Sequence, residues 1–448
     1  MRIRSIFMIV ALAAALPLGA QSFQESLFLN NYRTGFRYNP ALASDTDFLS
    51  VGELSLSAVN NVGAAAFLYP NNGKPVTGLH PSVSSDEFLS SLKDLNVAQG
   101  HVNYSLFSYG FSSGEAFHTL EVSARGVAGL SVPKDFFRLL KQGGEDIFSL
   151  AGLNVQGRLY AELAYGYSRM IGDRLRLGAR TKLLLGLYAA DYTFQRFDLQ
   201  VSGESYQADV QMQLDMTNRF AKLQADNGYL QLLNWRRKDR LVLPAGAGLA
   251  VDLGFVWELA DGLKLAASMT DLGGLFWYYG NAGKTSGLYT FTGLAQMEYE
   301  DMNLAGLWDR AKSLVKRVNE TVSLRPEEQR FAWEVLPFRI NGGLRYDMPF
   351  YRAMSAGITG NYTAFKGLPY WEGRFDLAVN PLDWLDLCVN AGIGTYGPVW
   401  GAAVQLNLRR FRVHAALQDG CGGSVPHWHM MPLQANVKSL VVGLTCDL

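Results

Sequence analysis

The sequence predicts an all-β chain: a transmembrane antiparallel β-barrel of about 14 strands (14–16), with short helices in its loops. Three observations predict it. The first residues carry the order of an export signal. The rest of the chain alternates apolar and polar side chains with period two. No later apolar run reaches the roughly 20 residues of a membrane helix.

At the start, Arg2 and Arg4 precede an apolar run from Ile6 to Leu18, and the small Gly19 and Ala20 stand before Gln21. Charge, short apolar core and small residues are what signal peptidase needs, so residues 1–20 read as a signal peptide cleaved after Ala20. Charged residues make up 18% of the chain, against about 25% in soluble domains. Mean hydropathy is only +0.01 because alternating residues cancel. Net charge is +0, so nothing draws the chain to nucleic acid. The cysteines Cys388, Cys421 and Cys446 are too few for a disulfide framework.

The strands follow in order. Leu120, Val122, Ala124, Ala128 and Leu130 alternate with Thr119, Glu121, Ser123, Arg125 and Val127. Leu175 to Leu187 place leucine on odd positions, while Arg174, Arg176, Arg180 and Lys182 share the other face. Ile340, Leu344 and Tyr346 alternate with Arg339 and Arg345. Trp371, Phe375 and Leu377 alternate with Glu372, Arg374 and Asp376. Phe411, Val413 and Leu417 alternate with Arg410 and Arg412, and Leu440 to Leu448 close the series. One face suits hydrocarbon and the other water, which is a barrel wall with a polar lumen. A large soluble sandwich or propeller also alternates, but there is no blade-length repeat and the basic faces recur on consecutive hairpins.

Turns at Ile171-Gly172-Asp173 and Ala260-Asp261-Gly262 divide neighbouring strands. Tyr165, Tyr167, Tyr188, Trp257, Trp277, Tyr278, Tyr351 and Trp400 lie near strand ends, as interfacial rings do. Pro133–Gln142 and Asn303–Val318 follow helical spacing instead. Phe220–Pro244 reads as a loop.

The expected lumen-lining residues are Arg174, Arg176, Arg180, Lys182, Arg339, Arg345, Arg374, Arg410 and Arg412. Buried charges need partners, so they are expected to pair with carboxylates such as Glu162, Glu372 and Asp376. A basic lining that attracts anions is the competing reading. Gly110-Phe111-Ser112-Ser113-Gly114 spells a nucleophile elbow, and Gly392 to Gly397 a dinucleotide fingerprint. Both stand between two strands, where a turn is expected. His427-Trp428-His429 with Cys421 reads as a surface loop. The sequence thus offers no catalytic, cofactor or metal site, and no enzyme is expected.

Between the signal and the first clear strand, Gln21 to Asp47 contains Asn39-Pro40-Ala41. Asp252-Leu253-Gly254 is answered one hairpin later by Asp271-Leu272-Gly273-Gly274. These segments resemble an uncharacterised outer-membrane barrel family of Bacteroidota (a domain of unknown function) and the FadL-like long-chain fatty acid transporters. The resemblance implies a barrel over 48–448 in the outer membrane of a Gram-negative bacterium. It implies a plug over 21–47 that includes Asn39, Pro40 and Ala41. It implies contact with outer-membrane lipid and passage of hydrophobic or amphipathic small molecules, with no cofactor. The alternative is a non-transporting barrel that serves a secretion or surface-assembly complex, with a protein partner at its loops.

Overall fold

The computed structural model describes residues 23–30, 32–63, 66–72, 74–203, 205–217, 221–226, 229–237, 244–292, 324–328, 330–351, 353–365, 368–420 and 437–448. The expected signal peptide, the Asn303–Val318 helix and the Cys421–His429 cluster lie outside these residues.

Fourteen antiparallel strands follow one another in chain order and close into a ring. They are β1 (Phe48–Asn60), β2 (Leu95–Ser113), β3 (Ala116–Pro133), β4 (Asn154–Ile171), β5 (Leu175–Ser202), β6 (Gly246–Ala260) and β7 (Leu263–Tyr279). The second half comprises β8 (Arg339–Asp347), β9 (Met354–Phe365), β10 (Leu368–Leu382), β11 (Leu385–Gly394), β12 (Gly397–Leu408), β13 (Phe411–Gly420) and β14 (Val437–Asp447). β14 returns to β1, pairing Phe48 with Asp447 and Val59 with Val437. Closure satisfies the backbone of every wall strand, which a bilayer demands.

The wall is inverted relative to a soluble protein. On β5, Leu177 and Leu183 are each 42% exposed while Arg180 and Lys182 are buried. The expected period-two faces also hold on β3, β8, β10, β13 and β14. Hydrocarbon belongs outside and polar groups inside.

Bulges interrupt the alternation, and three of them set the phase around the lumen. Pairing shifts between Ser50 and Leu54 on β1, between Ser105 and Phe107 on β2, and between Val251 and Leu253 where β6 meets β7. An extra residue moves every later side chain to the opposite face. On β7, Ala266, Ser268 and Thr270 face inward before the shift, and Asp271, Leu275, Trp277 and Tyr279 after it. Asp271 takes the left-handed backbone that this requires, with φ 62°. Trp277 is therefore not an interfacial ring, as strict alternation implies, but a buried one at 1% exposure. Tyr165, Tyr167, Trp257 and Tyr351 are exposed.

One end of the ring carries only short turns, and every long connection leaves the other. β5 runs for 28 residues, far beyond the roughly 10 that cross a bilayer. Its upper part leaves β6 and pairs with Ser205–Met216, which pairs in turn with Asn281–Thr292. This leaf has its own core of Phe148, Phe197, Leu199, Val210, Met212 and Leu214. Beside it, the hairpin Leu68–Asn71 and Lys74–Thr77 and a helix at Ser85–Ser90 pack on a second helix, Lys134–Gln142. The latter forms where helical spacing predicts it. Phe220–Pro244 is not wholly loop: Ala221–Asp226 pairs with Tyr229–Arg237, joining Asp226 to Tyr229. The intervening sequence Asn227-Gly228 is a strong hairpin signal in its own right.

Candidate functional site

The ring encloses the chain's own N-terminal segment. Helix α1 (Phe23–Phe28) has all six residues buried, and a single 3₁₀ turn follows at Gly35–Arg37. A helix this short does not persist alone, so packing on the wall must hold it. Gln24 Nε2 donates to Glu372 of β10 at 3.2 Å, and its Oε1 accepts from Gln418 of β13 at 3.3 Å. Arg345 of β8 donates to Leu27 O at 2.7 Å, and Gln405 of β12 to Asn30 O at 2.8 Å. Arg33 meets Asp447 of β14 at 2.8 Å. Arg37 reaches Glu53 of β1, Ser108 of β2 at 2.8 Å and Glu121 of β3 at 2.9 Å. Ser268 of β7 donates to Tyr38 O at 2.6 Å. One segment can touch strands all round a closed ring only from within it.

Asn39, Pro40 and Ala41 form a tight corner on this path. Asn39 Oδ1 accepts from Ala41 N at 2.9 Å, and Nδ2 donates to Phe255 O and Ala267 O at 3.0 and 3.2 Å. The corner lies directly on two glycines of the wall. A Cβ at Gly254 would sit 2.1 Å from Asn39 Oδ1, and one at Gly178 would sit 2.3 Å from Pro40 C. Gly254 ends the Asp252-Leu253-Gly254 segment, so two motifs far apart in sequence touch here.

Beside the corner lies a largely buried ionic layer. Arg180 contacts Glu121, Glu162 at 3.3 Å and Asp252 at 3.6 Å. Lys182 bridges Asp252 and Asp271, each at 2.7 Å. Arg125 joins Glu162 at 3.0 Å and Asp271 at 2.8 Å. Arg37 and His414 converge on Glu53, and the guanidinium of Arg180 lies 5.4 Å above the Phe36 ring. The side chains of Arg180, Lys182, Glu121, Glu162 and Asp252 are at most 2% exposed. Each cation thus meets at least two carboxylates, the condition under which buried charge is tolerated.

The opposite wall is built differently. Arg374 binds Glu372 at 2.7 Å, Asn390 at 2.6 Å and Gln418 at 3.4 Å. Asp376 accepts from Thr359 at 2.7 Å, and Asp386 from Asn380, Gln405 and Asn407. On this side hydroxyl and amide donors take the place of a second cation at each carboxylate.

Among the cations expected to line the lumen, Arg180, Lys182, Arg339, Arg345, Arg374 and Arg412 lie on inward positions of the strands. Arg176 is half-buried at the short-turn mouth, with Ser44, Ser112, Glu115 and Asp173. Arg174 and Arg410 do not line the lumen. Both fall in tight turns and are exposed, Arg174 at 58% with a 3.7 Å contact to Asp261. Alternation carried one residue too far into a turn misplaces each of them. Of the expected partners, Glu162 and Glu372 pair with arginine, whereas Asp376 is held by a hydroxyl. Sequence reasoning missed Arg33, Arg37, Glu53 and Asp271 as members of the network. Glu53 and Asp271 follow bulges, and the N-terminal segment has no period to read.

Towards the long-loop end, a cavity of about 30 Å³ adjoins the ionic layer, lined by Ser55, His101, Asn103, Arg125, Tyr160 and Arg339 among others. Tyr160 also belongs to an apolar shelf with Leu184, Leu275, Trp277, Tyr279 and Leu336. Gly114 and Thr395-Tyr396 stand in hairpin connections, so neither glycine-rich motif opens a helix.

No curated protein matches the chain. Several solved structures are similar to it at low identity. The toluene transporter TodX of Pseudomonas putida is 10% identical with a TM-score of 0.49, covering 96% of this chain and 99% of that one. A FadL homologue of Pseudomonas aeruginosa is 12% identical with a TM-score of 0.46, covering 96% and 98%. The toluene transporter TbuX of Ralstonia pickettii is 9% identical with a TM-score of 0.46, covering 92% of each. A family model described as a family of unknown function (DUF5723) matches residues 40–417, and the chain belongs to that family.

Proposed function

We propose that this chain is an outer-membrane barrel that passes small hydrophobic or amphipathic molecules, with residues 21–47 as its plug. Residues 1–20 are the export signal and 48–448 the barrel. The observation that carries this reading is the N-terminal segment seated inside the ring, tied to the wall by hydrogen bonds and ion pairs. Next to that segment, a packed apolar cluster of Leu184, Leu275, Trp277 and Tyr279 meets the polar cavity wall of Asn103, Arg125 and Arg339 through Tyr160. Opened by movement of the segment, that mixed surface would suit a molecule with an apolar body and a polar end. At about 30 Å³ the cavity is too small for passage, so the plug must move. A ring of this size is wider than side chains alone can fill. Its filler is bound by hydrogen bonds and ion pairs that can be exchanged for water, which fits a gate.

The test is native mass spectrometry of gently extracted protein, followed by conductance in planar bilayers with and without residues 21–47. A bound amphiphile, and a steady conductance that appears only after the deletion, are expected. An empty barrel whose conductance is unchanged by the deletion would sink the proposal. The leaf beyond β5 supports a second reading, docking of a protein partner at the extracellular face. A stoichiometric protein in the same spectra, with no small molecule, would favour it.

A further inference from the structure

We propose that Glu25 is a proton-operated latch: it docks α1 as a neutral acid beside Asp376, and its ionisation loosens the N-terminal segment from the wall. This rests on the reading of that segment as a plug. The case starts from unmet hydrogen-bonding capacity. Glu25 Oε1 and Asp376 Oδ1 are both buried without a hydrogen-bond partner, in residues 2% and 0% exposed. They stand on facing elements, α1 and β10, with Asp376 in electrostatic reach of Glu25. Two buried carboxylates side by side cannot both stay charged without a cation between them. The cation in electrostatic reach of Glu25, Arg374, spends both terminal amines on Glu372, Asn390 and Gln418. Arg345 of β8 is committed to Leu27 O, Asn30 and Asp347. The other titratable groups around Glu25 are Tyr32 and Tyr38 of its own segment and Cys388 of β11, none of which supplies positive charge. Among the described residues no cluster of acids, histidines and cysteines is arranged to hold a metal ion. A proton is the remaining way to remove the charge.

The carboxyl of Glu25 is pushed up from its ordinary 4.5 to about 8, chiefly by burial, with Asp376 and Glu372 adding to the rise and Arg374 opposing it. The sign follows from linkage. Docked α1 binds this proton more tightly than released α1, so docking is complete below 4.5 and weakens as pH rises to about 8. Above that value both states are ionised and the dependence ends.

Two readouts test this. Infrared difference spectra of the purified protein should show a buried protonated carboxyl band near neutral pH that is absent from Glu25→Gln. Hydrogen exchange of residues 23–30, corrected for intrinsic base catalysis, should lose up to about tenfold of its protection per pH unit across the same window. Glu25→Gln should be protected and flat with pH, and Asp376→Asn should move the midpoint down by relieving the repulsion. A Glu25→Gln protein that keeps the carboxyl band, or keeps the wild-type pH profile, overturns the proposal. If the band and exchange behave as stated while deleting 21–47 leaves conductance unchanged, the plug reading fails and the proton site stands.

Discussion

Arg37→Leu separates the N-terminal segment from the wall more cleanly than any other single change. Its guanidinium contacts Glu53, Ser108 and Glu121, so three consecutive strands are tied to the segment through one side chain. Removing it leaves His414 and Arg180 as the remaining ionic partners of Glu53 and Glu121, in a buried layer. Breaking a buried ionic contact while leaving its partners charged costs about 3–5 kcal/mol. At about 1.4 kcal/mol per decade, docking should weaken by roughly two to three and a half decades. The ring should be nearly unaffected, because backbone ladders close it and Arg37 belongs to none of them. Hydrogen exchange of residues 32–47, set against the temperature at which the folded barrel loses its compact gel mobility, reads both quantities. A triple change, Arg37→Leu with Glu53→Gln and Glu121→Gln, should recover most of the loss, since neutralising both sides removes the stranded charge. Exchange within threefold of wild type, or a barrel that melts in step with the segment, refutes the assignment of Arg37 to docking.

Three further outcomes follow from the wall. Gly254→Ala should loosen residues 39–41 by about 1–3 kcal/mol through overpacking against Asn39, whereas Gly373→Ala, with open space around its Cβ, should leave their exchange unchanged. Asp271→Val should cost about 3–5 kcal/mol for stranding Lys182 and Arg125, plus about 1–2 for a left-handed backbone. Asp271→Asn should show only the former, read by urea unfolding in lipid. Leu183→Lys on the outer face should cost about 2–4 kcal/mol in the same assay, and a neutral result there would remove Leu183 from the membrane band.

The wall was legible because its chemistry repeats every two residues. Leu177, Arg180, Lys182 and Leu183 announce their faces without any structure. The lumen was legible only in part. Bulges at Gly52, Leu106 and Asp271 change the phase in mid-strand, and period-two reasoning has no term for them. Trp277 went to the wrong face for that reason, and Glu53 and Asp271 went unnoticed as ionic partners. Asp252-Leu253-Gly254 and Asp271-Leu272-Gly273 stood out as motifs, yet nothing in their spelling says that two lysine contacts join them. Arg33 and Arg37 sit in an aperiodic segment, and their charged partners on the wall are 16 to 414 residues away. Such pairings depend on where the ring closes, which no local window contains.

The charge balance of the lumen separates anchoring from release. Around Asn39 to Ala41 the wall supplies Arg125, Arg180 and Lys182 against Glu121, Glu162, Asp252 and Asp271, and each charge meets more than one partner. Displacing the segment there exposes charges that have nowhere better to go. Around α1 the wall instead supplies Glu372, Asp376 and Asp386 with Arg374 and Arg345 as the cations, and hydroxyl and amide donors complete the set. Those donors hold a neutral helix well and a charged one poorly. A plug that moves should therefore swing about its Asn39-Pro40-Ala41 corner, with α1 leaving first. Exchange of residues 23–30 should then precede that of 39–47 under every mild perturbation, and simultaneous release of both would contradict this division of the lumen.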